Sequence, residues 1–381
     1  MNILIDKNLS FFLNWFEKLG ITKLIDGRSI IKSKLKNIDI LIIKSTTNIT
    51  EDLIKNTQIK FIGSATSGID HVDLISLKKK QINFHFSPGC NSISVAEYVL
   101  SSLLYLAERD KFFLIKKTVG IIGMGNIGTC LNKKLHALGI KTLLYDPFVK
   151  VDSCRYTWTS LDTLIKNSDI LTLHVPLTTH GLYPTKHLID EKILLKLPDN
   201  CILINTSRGS VIDNLALLNI LRLGKPIKVV LDVWENEPLI CLELLSRIDI
   251  GTPHIAGHSI EGKIRSILVI FNKLCKFLGK KIKLKPISLI FDEFYKSDID
   301  HISLFGKYTQ SKIYLLSNLI NNILYDDNQF RSYINKKNNF DKLREFYRHR
   351  REWSSIRVKT NNLYFSSVLK KIGFNSIHEK K

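Results

Sequence analysis

The stretch Thr118-Val119-Gly120-Ile121-Ile122-Gly123-Met124-Gly125-Asn126-Ile127-Gly128 decides the fold. An apolar run of strand character, Val119, Ile121 and Ile122, leads straight into glycines spaced G-x-G-x-x-G. Behind them Leu131, Leu135 and Leu138 recur at helical spacing as far as Gly139, and a second apolar run, Thr142 to Tyr145, closes on Asp146. Glycine turns are common; strand, turn, helix, strand and acid in this order are the context in which the spacing binds a dinucleotide. Gly123 permits the tight turn, Gly125 lets a pyrophosphate approach bare backbone, and Gly128 lets the helix pack close to the strand. Asn126 and Ile127 open that helix, whose free N–H groups and positive dipole end attract phosphate. Asp146 lies 18 residues past Gly128. A carboxylate there accepts from both ribose hydroxyls and repels a 2′-phosphate, so the predicted cofactor is NAD rather than NADP.

Outward from this unit the alternation continues. Downstream, Leu161 to Ile165 is helical. Ile170 to His174, Cys201 to Asn205, Val229 to Trp234 and the segment from Ile250 to His258 are strand-like, each running into a polar cluster. Upstream, Asn2 to Ile5, Asp39 to Lys44 and Lys60 to Gly63 are strands, Leu9 to Leu19 an amphipathic helix, and Thr50 caps a helix from Glu51. Ser92 caps a longer helix with Val95, Ala96, Val99, Leu100, Leu103 and Leu104 on one face. This pattern predicts an α/β protein with two Rossmann-like, doubly wound parallel-sheet lobes. The expected partition is a substrate lobe over 1–92, an NAD lobe over 93–257 and a return segment over 258–285. After about residue 286 glycine turns thin out and aromatics rise. Helical runs such as Ser311 to Tyr325 alternate there with short strands, which predicts a smaller α+β domain over 286–381.

Composition narrows the function. With 381 residues, 44% of them hydrophobic, the chain has ample core. No apolar run approaches the ~20 residues that span a bilayer, and the charge at Asp6 and Lys7 comes too early for a signal peptide. A cytoplasmic protein without a membrane partner is expected. Its six cysteines are then free thiols, and without C-x-x-C spacing no metal site is expected. The net charge of +21 admits two readings, a polyanion partner or a lysine- and isoleucine-rich composition; 43 of the 56 basic residues are lysine, which favours the second.

Three residues after predicted strands supply chemistry for oxidising a 2-hydroxy acid. Arg208 suits the substrate carboxylate, because a guanidinium grips it with two parallel bonds, and Gly209 beside it would leave room for the substrate. His254 suits the hydroxyl proton, and Glu237 is the carboxylate that would steady the imidazolium. In the first lobe, Ser45 and Thr66 sit in hydroxyl-rich turns at the carboxyl ends of strands. There they either donate to an anionic oxygen or serve as ordinary turn residues.

The segments Asn205-Thr206-Ser207-Arg208-Gly209, Asp232 to Pro238 and Pro253-His254-Ile255-Ala256-Gly257 resemble the three signatures of the D-isomer-specific 2-hydroxyacid dehydrogenases. The resemblance runs essentially end to end. It includes Ser64 to Asp73, Pro88-Gly89-Cys90-Asn91, Phe340 to Arg344 and Arg350 to Ser355, the tail being that of a member with an added C-terminal domain. The resemblance implies Arg208, Glu237 and His254 as the catalytic set. It implies Asp146, Val175, Thr206, Ser207, Arg208, Asp232 and Gly257 around NAD, and Ser45, Thr66 and His258 on a small phosphorylated 2-hydroxy acid. It also implies a homodimer held by the C-terminal domain. Val175 stands where the family has Thr, Lys44 where it has Arg, and His258 where it has Tyr. Rival readings are a relative acting on 3-phosphoglycerate or glycerate, a non-catalytic NAD-binding protein, and a nucleic-acid binder using Arg344, Arg348, Arg350 and Arg351.

Overall fold

In the computed structural model, which describes residues 1–149, 156–284, 301–334 and 339–379, every strand pair among the described residues is parallel. Parallel strands covered on both faces need continuous apolar runs. Ile40–Ile43 and Ile202–Asn205 supply them and are buried along their length. The chain divides into two units, Met1–Asn91 with the segment from Glu261, and Ser92–Ile260 with the described residues from 301 onward.

The first unit is built on β1 (Asn2–Asp6), β2 (Ile21–Ile25), β3 (Ile40–Ile43), β4 (Phe61–Ser64) and β5 (Asn83–Phe86), in the order β2-β1-β3-β4-β5. Leu4, Leu41, Ile43, Ile62 and Leu77 form one side of its core. The helix Ile260–Phe277 lies on the sheet: a Cβ on Gly63 would stand 2.4 Å from Ile270, and Phe271 meets Phe16 edge-on at 5.5 Å. Thr50 caps Glu51–Ile54 through Leu53 N–H at 3.3 Å, as its sequence position predicts. One expectation is corrected. Leu9 to Leu19 is not one helix but a 3-10 turn, Lys7–Phe12, followed by Leu13–Glu17; the Asp6 carboxylate accepts from Asn8 N–H and tightens the first turn. The strand β2 is absent from the sequence reading, because an edge strand with no fully buried residue carries little apolar pattern.

The second unit holds β6 (Thr118–Ile122), β7 (Lys141–Tyr145), β8 (Ile170–Leu173), β9 (Ile202–Asn205), β10 (Lys228–Leu231) and β11 (Ile250–Gly251), ordered β11-β10-β9-β8-β6-β7. A bridge from Trp158 to Leu144 adds one more position outside β7. With it the order becomes that of a dinucleotide fold, reversing between β6 and β8. A third sheet, β12 (His301–Ser303), β13 (Arg357–Thr360) and β14 (Asn375–His378), belongs to the C-terminal residues. These residues share the cores on both faces of the six-stranded sheet. Trp353, Phe365 and Ile372 are buried with Val99, Leu131 and Leu135 on one face, Phe330 and Phe340 with Trp234 on the other. The run predicted as one helix from Ser311 to Tyr325 is two, Gln310–Ile320 and Ile323–Tyr333. Asn322 breaks it by capping the second through Tyr325 N–H at 2.9 Å. Five cysteines are free thiols, and Cys154 lies outside the described residues. Among the described residues no helix is long and apolar enough to cross a membrane.

Candidate active site

At the carboxyl end of β6, Gly123 has φ +93°, and a Cβ there would lie 2.5 Å from the His174 carbonyl oxygen and 2.9 Å from Val175 Cγ1. A Cβ on Gly128 would lie 2.0 Å from the Gly123 carbonyl oxygen, whereas one on Gly125 would meet nothing within 4 Å. The outer glycines are therefore demanded by the protein's own packing, and the middle one leaves open space for a ligand. Gly125 also starts the helix Asn126–Ala137 without a side-chain cap, so the first-turn N–H groups keep their donating capacity. Asp146 closes β7 with Oδ2 accepting from Met124 N–H at 2.8 Å and Oδ1 from Phe148 N–H at 2.9 Å. Two buried polar atoms at neighbouring strand ends, Thr206 Oγ1 and His174 Nδ1, have no hydrogen-bond partner. Burial pushes the His174 imidazole down to about 3, so the ring is neutral. An open backbone turn, an uncapped helix and orphaned polar atoms fit NAD.

Asn205, the last residue of β9, shapes the next turn. Its Oδ1 accepts from Ser207 N–H at 3.0 Å and Ser207 Oγ at 2.8 Å, and its Nδ2 donates to the Arg208 carbonyl at 2.9 Å. Half-buried Arg208 donates from Nη1 to the Ser207 carbonyl at 2.8 Å. Gly209 also meets a packing demand that its sequence position does not show. A Cβ there would lie 1.9 Å from the Trp234 carbonyl carbon, so glycine is required by the approach of the Trp234–Glu235 backbone. That approach ties the arginine turn to the loop carrying Glu237.

Glu237 accepts from Trp234 N–H through Oε1 at 2.9 Å and meets His254 Nδ1 through Oε2 at 2.8 Å. Desolvation is the largest influence on this carboxyl and works upward. The charge and hydrogen bond of His254, the Trp234 N–H and the charge of Arg344 outweigh it and hold Glu237 below the ordinary glutamate range. A carboxylate at Nδ1 leaves Nε2 as the atom that takes or returns a proton. His254 itself is held in a left-handed conformation, φ +57°, with its N–H on the Asp232 carbonyl at 2.7 Å. The buried Asp232 carboxylate accepts from Thr252 Oγ1 at 2.6 Å, Ile255 N–H at 2.7 Å and Ala256 N–H at 2.9 Å. Burial raises its pKa despite those donors and the nearby His254. Asp232, expected beside NAD, thus braces the segment around His254 with both carboxylate oxygens, through the Thr252 hydroxyl before it and two backbone N–H groups after it.

Gly257 follows Ala256 directly, half-buried, and His258 N–H donates to the Ile255 carbonyl at 2.8 Å. The His258 ring meets Tyr347 of the C-terminal segment edge-on at 6.1 Å. In the first unit Ser45 is exposed after β3, and Thr66 donates from Oγ1 to the Gly68 carbonyl at 2.7 Å after β4. Sequence reasoning missed the network behind the site. His187 Nε2 meets Glu235 Oε1 at 2.7 Å while its Nδ1 faces Asp213 at 3.6 Å. These three residues lie close enough to hold a metal ion, although each ring nitrogen faces a different carboxylate, the arrangement of a brace. Arg350 donates to the Ala256 and Ser94 carbonyls. No sequence signal marks such pairs, because their members come from distant parts of the chain.

Residues 107–256 match the NAD binding domain of the D-isomer specific 2-hydroxyacid dehydrogenases, and residues 295–373 match a domain family of unknown function. The D-lactate dehydrogenase of Aquifex aeolicus, solved with NAD and lactic acid, superposes with a TM-score of 0.63 at 28% identity, over 73% of this chain and 96% of that one. The 3-phosphoglycerate dehydrogenase of Entamoeba histolytica shares the fold at a TM-score of 0.64 and 24% identity, over 75% and 99% of the two chains. Fold and nucleotide turn together define an NAD-dependent 2-hydroxyacid dehydrogenase. Over 99% of this chain and 98% of theirs, the sequence is 62% identical to the erythronate-4-phosphate dehydrogenase of Wigglesworthia glossinidia brevipalpis; with that of Escherichia fergusonii the identity is 44% over 99% of both. The chain belongs to the erythronate-4-phosphate dehydrogenase family.

Proposed function

We infer that the protein oxidises 4-phospho-D-erythronate to 3-hydroxy-2-oxo-4-phosphobutanoate, a step in making pyridoxal 5′-phosphate. The observation that carries the reading is the 2.8 Å contact between His254 Nδ1 and Glu237, in a chain of this family. Arg208 holds the C1 carboxylate, and Nε2 of His254 takes the proton of the C2 hydroxyl as the C2 hydride departs. Glu237, already ionised, stabilises the imidazolium so formed. NAD, when bound, supplies the acceptor for that hydride. Gly123, Gly125, Asn126, Ile127 and Gly128 would hold its pyrophosphate, and Asp146 its adenosine ribose. Val175, Thr206, Ser207, Asp232 and Gly257 would line the rest of its site. Ser45, Thr66 and His258 would meet the substrate.

A homodimer in a reducing cytoplasm completes the reading. The C-terminal helices support the dimer: Leu315 and Leu319, one turn apart, are more than half exposed, and Leu324 and Tyr325 follow them on the surface. The reaction is tested by NADH fluorescence, which should appear when the purified protein receives NAD with 4-phospho-D-erythronate and not with 3-phosphoglycerate. Turnover of 3-phosphoglycerate alone would overturn it.

A further inference from the structure

Four arginines stand close together in the C-terminal segment, and their surroundings differ. Arg348 pairs with Asp326 at 3.1 Å and donates to the Ile320 carbonyl. Arg350 is buried against the Ala256 and Ser94 carbonyls. Arg351 lies half-buried beside the buried Glu352. Arg350 also leaves Nε and Nη1 buried without a partner, but its Nη2 is committed to the Ala256 and Ser94 carbonyls. Arg344 has a buried, unpartnered Nε, and among the described residues its guanidinium forms neither a hydrogen bond nor an ion pair. Burying a guanidinium N–H without an acceptor is costly, which marks a place where an acceptor arrives from outside.

The fold fixes where that place is. Arg344 lies on the helix Asn339–Glu345, whose Phe340 is fully buried. The Phe340 ring packs edge-on against Phe330 at 5.9 Å, and Phe330 lies 5.7 Å from Trp234. The Trp234 backbone N–H in turn donates to Glu237. Arg344 follows Phe340 by one helical turn and so leaves the helix on the same face. The charge of Arg344 already bears on Glu237. An aromatic chain thus carries an uncommitted cation to the loop that holds the proposed acid–base pair.

We propose that Arg344 binds the phosphate of the substrate and thereby sets the preference for a 4-phosphorylated over an unphosphorylated 2-hydroxy acid, a proposal that rests on the reaction inferred above. A substrate anionic at both ends needs two cationic holds, and Arg208 serves the carboxylate. A guanidinium matches phosphate oxygens with paired N–H bonds. Placed near Glu237, it also offsets the repulsion between that carboxylate and the phosphate. This assigns a task in substrate choice to the segment matched by the domain family of unknown function.

The test is steady-state kinetics of the full-length Arg344→Met and Arg344→Lys variants, with D-erythronate compared as alternative substrate or competitive inhibitor. The KM for 4-phospho-D-erythronate should rise about tenfold to a hundredfold in Arg344→Met, the weight of charged hydrogen bonds. It should recover in part in Arg344→Lys, while the constant for D-erythronate stays put and kcat moves less. An unchanged KM, or an equal loss for both acids, overturns the proposal. NADH binding measured by fluorescence verifies the fold of each variant. Should Arg344→Met fail that measurement, Arg344→Lys decides alone, a rise confined to the phosphorylated acid supporting the proposal and any other pattern overturning it. Wild-type protein that oxidises no phosphorylated acid overturns the reaction itself, a result separable from any behaviour of the variants.

Discussion

His254 is constrained from three directions: Glu237 holds Nδ1, the Asp232 carbonyl holds the backbone N–H, and the left-handed backbone fixes where the ring leaves the chain. Because Glu237 is held below the ordinary glutamate range, it is ionised at neutral pH, and its charge favours the imidazolium. Replacing it by the isosteric Glu237→Gln keeps a hydrogen bond and removes that charge. Oxidation requires neutral imidazole, so the acid limb of its rate profile should move to lower pH. Reduction requires the imidazolium, so its activity should fade earlier as pH rises. Both limbs are read from kcat/KM across pH, and an unmoved profile would separate Glu237 from His254 in function. His254→Ala should lower turnover by about 10² to 10⁴ and leave NADH affinity nearly unchanged. Asp232 was only half legible in the sequence. Its place after a strand marks it as near the site, but its engagement with Thr252, Ile255 and Ala256 depends on a chain reversal that no local pattern announces.

Among elements, the helices Ser92–Arg109 and Asn126–Ala137 are joined to the C-terminal segment by one buried polar cluster. Lys134 lies 3.1 Å from Glu97 and over the Trp353 ring at 5.2 Å, while Glu97 also accepts from Trp353 N–H at 3.0 Å. Glu352 beside it accepts from Ser94 Oγ at 3.2 Å and Ser259 Oγ at 3.0 Å. Burial pushes the Glu97 carboxyl up to about 7, Lys134 opposing and Glu352 adding to the rise. Lys134→Met would leave Glu97 buried beside another acid, at a cost of about 3–5 kcal/mol. The folded pKa of Glu97 would then stand further above its unfolded value, so the native state would bind more protons than the unfolded one. Stability should fall as pH rises between those values, and urea unfolding should find the variant weaker at about pH 8.5 than at about pH 6. Adding Glu97→Gln should recover part of the loss and flatten that dependence. The helices themselves were legible, through Ser92, the glycine turn and leucine spacing. Their clamp was not, because the Trp353–Glu97 bond spans 256 positions. For a related reason Asn322 hid the break between Gln310–Ile320 and Ile323–Tyr333: the apolar spacing runs through it, and only the cap stops the first helix.

For the whole molecule, the parallel sheets were legible because their buried central strands announce themselves locally, by a run such as Ile40–Ile43 ending in a polar turn, whereas the exposed edge strand β2 does not. The place of the C-terminal residues was not. Changed texture after residue 286 suggests an appended body, yet Trp353, Phe365, Ile372 and Phe374 share a core with Val99, Leu131 and Leu135. This alters how the proposed dimer is to be tested. Truncating the chain near residue 285 would strip that core and expose large aromatic surface, so loss of the dimer would be inseparable from loss of the fold. The helix Gln310–Ile320 offers a cleaner probe. Ile313, Leu316 and Ile320 face inward, each 7% exposed or less, while Leu315 and Leu319 stand 56% and 57% exposed on the opposite face. An apolar pair one turn apart on a helix surface is what a second copy would cover in a two-fold interface. Leu315→Glu combined with Leu319→Glu places like charges against each other across such an axis and changes no buried side chain. Sedimentation velocity at micromolar concentration should find wild type as a dimer and the double variant as a monomer, with near-unchanged NADH affinity reporting an intact nucleotide fold. A double variant that still sediments as a dimer would remove this helix face from the interface, and a wild-type monomer would remove the dimer altogether.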